Sequence, residues 1–355
     1  MSHLQLAYTL PYLGKLDEAR KAVRNLQLIA PGMTVEQALQ TYRVYCFPDA
    51  YLEKMKQALI EAGLPSRGSS SDSNDIFVPH AKIIQINGAS VEYMDLGEGV
   101  PVVFVHGAIS DYRTWAHYQN LVSDKYRYVS YSRRYFGSQR WLDKGEQFSN
   151  HVAADDLIGF IEALNLQSVF LVSWSAGARA ASIAAINRPD LVQGIVHFEP
   201  VFDTLADLDD NETPDEARDK HYGGFSRVGE YLTTDNPDSA VKAFLETVFE
   251  LRPGQFETEV MPIRMVVLDS ARTLPLMFDS DSPGPPITCD YLAGLNTPTL
   301  VVHGTKTNQW WQYLSRRYAE CAPNATLKTI SGVNHAGPIR KPDVLFALIS
   351  EFIDH

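Results

Sequence analysis

The chain has 355 residues, of which 45% are hydrophobic and 21% are charged, and its formal net charge is −12. This length allows one large domain or two to three smaller ones, with enough residues to bury a core. The acidic balance and the lack of a basic patch exclude a nucleic-acid-binding surface.

The sequence also limits the setting of the protein. It contains no run of 18 apolar residues, so no membrane span is expected, and its N-terminus lacks the pattern of a signal peptide. Cys46, Cys289 and Cys321 are far apart and odd in number, which predicts neither a disulfide framework nor a metal site. We therefore expect a cytoplasmic protein without a metal or other cofactor.

Residues 1–65 are predicted to form a small helical segment. Apolar residues recur at helical spacing in "KLDEARKAVRNLQLIAPG", "MTVEQALQTYRVYCFPD" and "AYLEKMKQALIEAGLPSR". The segment resembles the end of a tetratricopeptide array, as found in bacterial cyclases and regulators, on "YLGKLDEARKAV" and the third stretch. A single repeat cannot bury its own apolar face. We therefore expect it to pack on the next domain or, in a homo-oligomer, on a second copy of the chain.

A Ser-rich polar linker, residues 66–75, is followed by alternating strands and helices. The alternation begins with a predicted hairpin around Asn87-Gly88 and covers residues 76–203 and 291–355. It predicts an α/β fold, in which a mostly parallel sheet carries helices on both faces. Residues 204–290 interrupt the alternation with mainly helical sequence, which predicts a lid inserted over the site.

The stretch "LVSWSAGARAA" places Ser175 between a predicted strand and a predicted helix. In a nucleophile elbow the turn is so tight that only small residues fit two positions before and two after the nucleophile. Ser173 and Gly177 meet that condition, although glycine is usual at the first position. The alternative is a serine that only caps a helix. The strand–turn–helix context favours the nucleophile, which would stand at a helix N-terminus that stabilises developing negative charge.

Over residues 80–355 the chain resembles the α/β-hydrolase fold family, on "VVFVHGAIS", "SWSAG" and "GVNHAG" in that order. The resemblance implies a catalytic base after the last strand, where His335 stands in "SGVNHAGPI". The competing histidines are at strand ends or inside a strand and are expected to be structural; they are His106, His197 and His303.

The acid of the implied triad is not in the usual place. Most of the family has an aspartate after the strand that follows the lid, but no Asp or Glu occurs in residues 291–319, and Thr307 or a near neighbour holds that slot. Glu199 ends an earlier strand, "GIVHFEP", and Pro200 is expected to keep it extended. Haloalkane dehalogenases and zearalenone-type lactonases resemble this arrangement. Glu199 is therefore the predicted acid, with Asp203 as the alternative.

Other residues near the predicted site have less specific roles. The resemblance implies an oxyanion hole formed by the backbone N–H groups of Ala108 and Ala176, where loss of one donor costs about 3 kcal/mol in the barrier. Trp174 adjoins the nucleophile and is a candidate substrate-binding residue. Arg133 and Arg134, in "YSRRYFGSQRW", either face the site or fix their loop, and the second role is favoured.

These residues predict a serine hydrolase that cleaves a neutral, apolar carboxylic ester or lactone through an acyl-enzyme, with that small molecule as its partner. Serine at the elbow argues against dehalogenation and epoxide opening, which this fold runs through an aspartyl ester. The acidic stretch 203–219 would repel anionic substrates if it rims the entrance. Two alternatives remain: C–C bond hydrolysis, and a non-catalytic sensor or binding module derived from a regulator.

Overall fold

The structure is a computed structural model with two compact units. It describes residues 6–8, 10–29, 33–44, 49–66, 81–139, 141–206, 214–234, 236–252, 255–256, 261–278 and 286–355. One unit comprises residues 1–81 with 257–265, and the other comprises residues 82–256 with 266–355. The predicted linker lies outside the described residues except for Ser66.

The first unit contains the three helices that the sequence predicts. They are α1 (Leu16–Ile29), α2 (Val35–Val44) and α3 (Asp49–Glu61). A capping box begins α2, because the Thr34 N–H donates to the Gln37 side chain at 2.9 Å and the Gln37 N–H donates to the Thr34 hydroxyl at 3.3 Å. The helical segment is confirmed, and its tetratricopeptide ancestry stays a prediction.

An eight-stranded sheet forms the centre of the second unit. The strands are β1 (Lys82–Ile86), β2 (Ala89–Leu96), β3 (Pro101–Val105), β4 (Arg127–Tyr131), β5 (Val169–Trp174), β6 (Val192–Phe198), β7 (Thr299–Gly304) and β8 (Ala325–Ile330). Their order across the sheet is β1-β2-β4-β3-β5-β6-β7-β8. Strand β2 is antiparallel to β1 and β4, and the other pairs are parallel. The mostly parallel sheet is confirmed, as is the hairpin at Asn87-Gly88, where φ is +48° and +79°.

Helices connect these strands and fill the predicted lid segment. The connecting and terminal helices are α4 (Tyr118–Ser123), α5 (Asn150–Ala163), α6 (Gly177–Asn187), α11 (Cys289–Leu292), α12 (Gln309–Cys321), α13 (Gly337–Arg340) and α14 (Pro342–Ile353). The lid segment holds α7 (Asp215–Thr233), α8 (Pro237–Phe249), α9 (Met261–Ser270) and α10 (Leu274–Phe278). Among the described residues, no helix is both long and apolar enough to cross a membrane.

Aromatic packing joins the sheet to its covering helices. Phe160 of α5 is fully buried, and its ring stacks on that of Tyr131 at the end of β4 with centroids 4.7 Å apart. Tyr93 of β2 meets the same Phe160 ring edge-on at 5.5 Å. Buried aromatic pairs of this kind stabilise a core by more than the burial of their apolar surface alone. These contacts hold α5 against β2 and β4.

The cysteines correct an expectation. Cys289 begins α11 and Cys321 ends α12, and the two form a disulfide with Cα atoms 4.8 Å apart. The prediction of no disulfide was wrong because the fold brings together two residues that are 32 positions apart. The cysteines therefore no longer support a cytoplasmic location, which stays a prediction. Cys46 lies outside the described residues.

Replacing Phe160 with alanine tests the core packing. We expect Phe160→Ala to lower the free energy of unfolding by about 3–5 kcal/mol, because it removes a ring from a fully enclosed position. Leu142→Ala is the control: Leu142 is 84% exposed, and its loss should change stability by less than about 0.5 kcal/mol. Urea unfolding followed by fluorescence measures both, and equal losses would contradict the core described.

Candidate active site

The turn after β5 has the backbone of a nucleophile elbow. Ser175 has φ +54°, in the left-handed region that non-glycine residues rarely occupy, and its N–H donates to the Phe198 carbonyl at 3.0 Å. A Cβ on Gly177 would lie 2.5 Å from the His106 carbonyl oxygen, so only glycine fits there. Strain that the surroundings enforce at one serine is a feature of functional sites.

Ser173, the other serine of the stretch, has a structural position. Its hydroxyl is fully buried and lies 2.5 Å from Nδ1 of His197, whose Nε2 is 3.0 Å from the Tyr318 hydroxyl. Burial lowers the pKa of His197 to about 3, so the ring is neutral and can bridge the two hydroxyls. Serine therefore satisfies the size limit of the elbow and also anchors the end of β5 to its neighbours.

The structure brings His335 and Glu199 into contact. Nδ1 of His335 is 2.6 Å from Oε2 of the fully buried Glu199, and since a carboxylate only accepts, the Nδ1–H donates. The carboxylate also accepts from the Gly304 N–H and from the Thr307 hydroxyl, each at 2.9 Å. Thr307 occupies the slot in which most of the family has an acid, and its hydroxyl donates to the glutamate instead.

Pro200 predicted an extended backbone at Glu199, but the backbone there is not extended. Its φ is +46°, in the left-handed region. The expectation failed because contacts outweigh the local preference: the Glu199 N–H donates to the Val302 carbonyl at 2.8 Å, and three donors hold its carboxylate. The alternative acid, Asp203, is instead 3.6 Å from Arg179 and 3.3 Å from Nε1 of Trp310.

Aromatic side chains enclose the ring of His335. Trp311 stacks on it with centroids 4.7 Å apart and an interplanar angle of 13°. Trp174, the candidate substrate-binding residue, lies 5.6 Å from it, and its Nε1–H donates to the His335 carbonyl at 3.0 Å. Phe249 approaches to 5.8 Å. Sequence reasoning missed Trp311, because nothing in the helical pattern of α12 marks which of its buried residues meets a distant loop.

The two residues that are predicted to supply the oxyanion donors line one cavity. Ala108 and Ala176 both line a cavity of about 310 Å³. Among the described residues, neither backbone N–H has a hydrogen-bond acceptor, so both are available to a ligand. Gly107 allows the close approach of the two loops, since a Cβ there would lie 3.3 Å from the Cβ of Ser175. An anionic oxygen bound near both N–H groups could accept a hydrogen bond from each of them.

The remaining predicted residues have structural contacts. Arg134 fixes its loop, donating to Asp156 at 2.7 Å and to the Asn87 carbonyl at 2.9 Å. His106 accepts from the Arg133 N–H at 2.9 Å, and burial lowers its pKa well below the usual value. Within the described ranges, no group of three or more His, Cys, Asp or Glu side chains could hold a metal ion.

Comparison with known proteins identifies the family. A sequence profile of the Alpha/beta hydrolase family matches residues 102–348, and the chain belongs to this family. It is 27% identical over 261 residues to the non-heme chloroperoxidase CPO-A1 of Kitasatospora aureofaciens, covering 70% of this chain and 90% of that protein. A thermophilic esterase from Thermogutta terrifontis has a similar fold, with a TM-score of 0.56, 20% identity, and coverage of 78% of this chain and 98% of that one.

Epoxide hydrolases are also among the relatives. Epoxide hydrolase 2 of Siraitia grosvenorii is 29% identical over 120 residues, which covers 34% of this chain. The chain spans only about two fifths of the length of that protein and of epoxide hydrolase 1 from the same organism, 38% and 42% respectively. The family and the fold are therefore established, and the reaction has to be argued from the site itself.

Two glycine substitutions test the elbow. We expect Gly177→Ala to lower the free energy of unfolding by about 1–3 kcal/mol, since the added carbon would press on a backbone carbonyl that cannot move freely. Gly223→Ala is the matched control. Gly223 lies within α7, and no atom lies within 4 Å of the place that an added Cβ would occupy. The higher helix propensity of alanine should therefore raise the free energy of unfolding by up to about 1 kcal/mol. Urea unfolding compares the two, and a Gly177→Ala protein as stable as the parent would show that the turn is looser than described.

Proposed function

We propose that this chain is a serine hydrolase that cleaves a carboxylic ester or lactone through an acyl-enzyme on Ser175. The hydrogen bond between His335 and Glu199, at the same sheet edge as the strained Ser175, carries the proposal. The contact leaves Nε2 as the ring nitrogen that can take up a proton. A buried carboxylate in this position favours that tautomer and stabilises the imidazolium once it forms.

The reaction follows from these roles. His335 removes the proton of the Ser175 hydroxyl as the serine oxygen attacks the substrate carbonyl. The tetrahedral intermediate collapses, the C–O bond to the leaving alcohol breaks, and the imidazolium returns the proton to that alcohol. Water, deprotonated by the same ring, then attacks the acyl-enzyme. The C–O bond to Ser175 breaks, the imidazolium returns its proton to the serine oxygen, and the acid is released.

The backbone supplies the electrostatic contribution. The oxyanion of the intermediate would accept hydrogen bonds from the free N–H groups of Ala108 and Ala176, which line the cavity beside the elbow. The N-terminus of α6, immediately after the serine, favours negative charge at the same place. Preorganised donors of this kind lower the barrier without having to reorient during the reaction.

The identity of the elbow residue favours ester chemistry over that of the epoxide hydrolase relatives. Epoxide opening in this fold proceeds through an aspartyl ester, and this chain has serine at the elbow. The similar esterase fold is compatible with the proposal but shows the fold alone. Retention of nucleophile, base and acid also favours an enzyme over a non-catalytic sensor.

We further propose that α7 to α10 form a lid over this site. Their apolar side chains form a cluster with Ile109, the residue next to Ala108. Phe249, at the end of α8, belongs to the same cluster and lies near the ring of His335. A cover of apolar side chains would exclude water and strengthen the electrostatic interactions beneath it.

Covalent labelling tests the nucleophile. A fluorophosphonate probe should add one label, on the peptide that contains Ser175, because Ser175 stands in a strained elbow at the sheet edge that also carries the His335–Glu199 pair. Ser173→Gly is the control, since it restores the usual small residue and should still be labelled. Mass spectrometry locates the label. Labelling that persists in Ser175→Ala would remove Ser175 from the mechanism.

A substitution that removes the carboxylate charge tests the acid. Glu199→Gln should retain the fold, because the change is nearly isosteric, but should lower the acylation rate by orders of magnitude. A comparable change in a serine protease costs about 10⁴. Asp203→Asn should cost far less, because Asp203 has no contact with His335 among the described residues. Stopped-flow release of nitrophenol from a nitrophenyl ester measures both. The reverse order of effects would make Asp203 the acid, and no effect of either would leave a Ser–His dyad.

A further inference from the structure

The cavity beside the elbow contains more positive charge than ester hydrolysis needs. Its charged lining residues are Arg133, Arg179 and Asp203, so the described lining has a surplus of one positive charge. The same cavity is lined by Ala108 and Ala176. A substrate whose carbonyl oxygen meets these two N–H groups therefore has both guanidinium groups in its own binding cavity.

Arg133 is a buried cation with unused hydrogen-bonding capacity. It is 6% exposed, its guanidinium lies 4.2 Å from the ring centroid of Phe136, and one terminal nitrogen donates to the Gly107 carbonyl at 2.8 Å. Its Nε has no hydrogen-bond partner within the described part of the chain. Burial lowers the pKa of Arg133 to about 10, and the nearby Arg179 cation acts in the same direction, yet the group stays charged at neutral pH. Arg133 has no counter-ion among the residues that the structure describes, and a buried unpaired charge is costly, which favours a ligand that supplies one.

Arg179 is the second cation, and it is only partly neutralised. Its Nε donates to the Val201 carbonyl at 2.7 Å, and a terminal nitrogen lies 3.6 Å from the Asp203 carboxylate. That distance is longer than a direct charge-assisted hydrogen bond. The side chain remains 29% exposed and can meet a ligand. Arg179 follows Ser175 by four positions in the sequence and lies in the first turn of α6.

We propose that Arg133 and Arg179 bind a carboxylate of the substrate, so that the group transferred to Ser175 is the acyl part of a dicarboxylic half-ester or of a carboxylated lactone. This inference rests on the proposed function and replaces the neutral substrate that the sequence predicts. Guanidinium groups suit a carboxylate because their planar N–H pairs match its two oxygens.

The acidic stretch that suggested repulsion of anions does not oppose this proposal. Of its described acids, Asp203 alone lines the cavity, and it lies against Arg179. An incoming carboxylate would meet two cations and one anion. Since the acyl end is held beside the oxyanion donors, the binding energy of the carboxylate also orients the reacting carbonyl.

Two esters that differ only in charge provide the test. The first is the mono-4-nitrophenyl ester of glutaric acid, and the second is the same compound with its free carboxylate capped as a methyl ester. Nitrophenol release should favour the anionic ester by about tenfold or more in kcat/KM. Arg133→Gln and Arg179→Gln should each abolish this preference, because each should raise KM for the anionic ester at least tenfold more than KM for the capped ester. Arg227→Gln is the control: it removes an exposed lid arginine that pairs with Glu246 and should keep the preference.

The outcomes separate this proposal from the proposed function. Hydrolysis of both esters at equal rates would overturn the carboxylate site and leave the serine hydrolase intact. Equal losses on both esters in the arginine variants would show a structural role for these residues and would also overturn it. If neither ester is cleaved, titration calorimetry with glutarate decides: binding to the parent that weakens about tenfold in Arg133→Gln and Arg179→Gln supports the site, and no binding refutes it.

Discussion

The candidate site depends on the hydrogen bonds that the carboxylate of Glu199 accepts. The carboxylate is fully buried and accepts hydrogen bonds from the Gly304 backbone, the Thr307 hydroxyl and the His335 ring. Each hydrogen bond to a charged group contributes about 1.5–3 kcal/mol, and losing one partner of a buried pair typically costs about 3–5 kcal/mol. One buried charge thus ties the ends of two neighbouring strands to the loop that carries the predicted base.

The sheet explains how this carboxylate meets its donors. Strands β6 and β7 are parallel neighbours, so Glu199 after β6 lies beside Gly304 at the end of β7. A Cβ on Gly304 would lie 2.0 Å from the Val333 carbonyl oxygen, so the absence of a side chain lets the loop that carries His335 approach β7. The aromatic rings of Trp311 and Trp174 then hold the imidazole from the sides. Backbone geometry brings the loop close, and side chains orient the ring.

Features encoded in local patterns could be predicted, and features that arise from contacts between distant segments could not. The alternation of strands and helices gave the parallel sheet, and small residues around Ser175 pointed to the tight turn. The pairing of Cys289 with Cys321 and the stacking of Trp311 on His335 depend on residues far apart in sequence, which no local pattern encodes. The backbone of Glu199 shows the limit most clearly, since tertiary hydrogen bonds override the preference that the following proline imposes.

One hydrogen bond is central to the candidate site, and proton NMR can observe it directly. The Nδ1–H of His335, held against the Glu199 carboxylate and shielded from solvent, should give a resonance far downfield of the backbone amides. We expect this resonance in the parent protein and in Asp203→Asn, and expect it to be lost in Glu199→Gln, where a neutral amide replaces the carboxylate. A resonance that persists unchanged in Glu199→Gln, or that disappears in Asp203→Asn alone, would contradict the account.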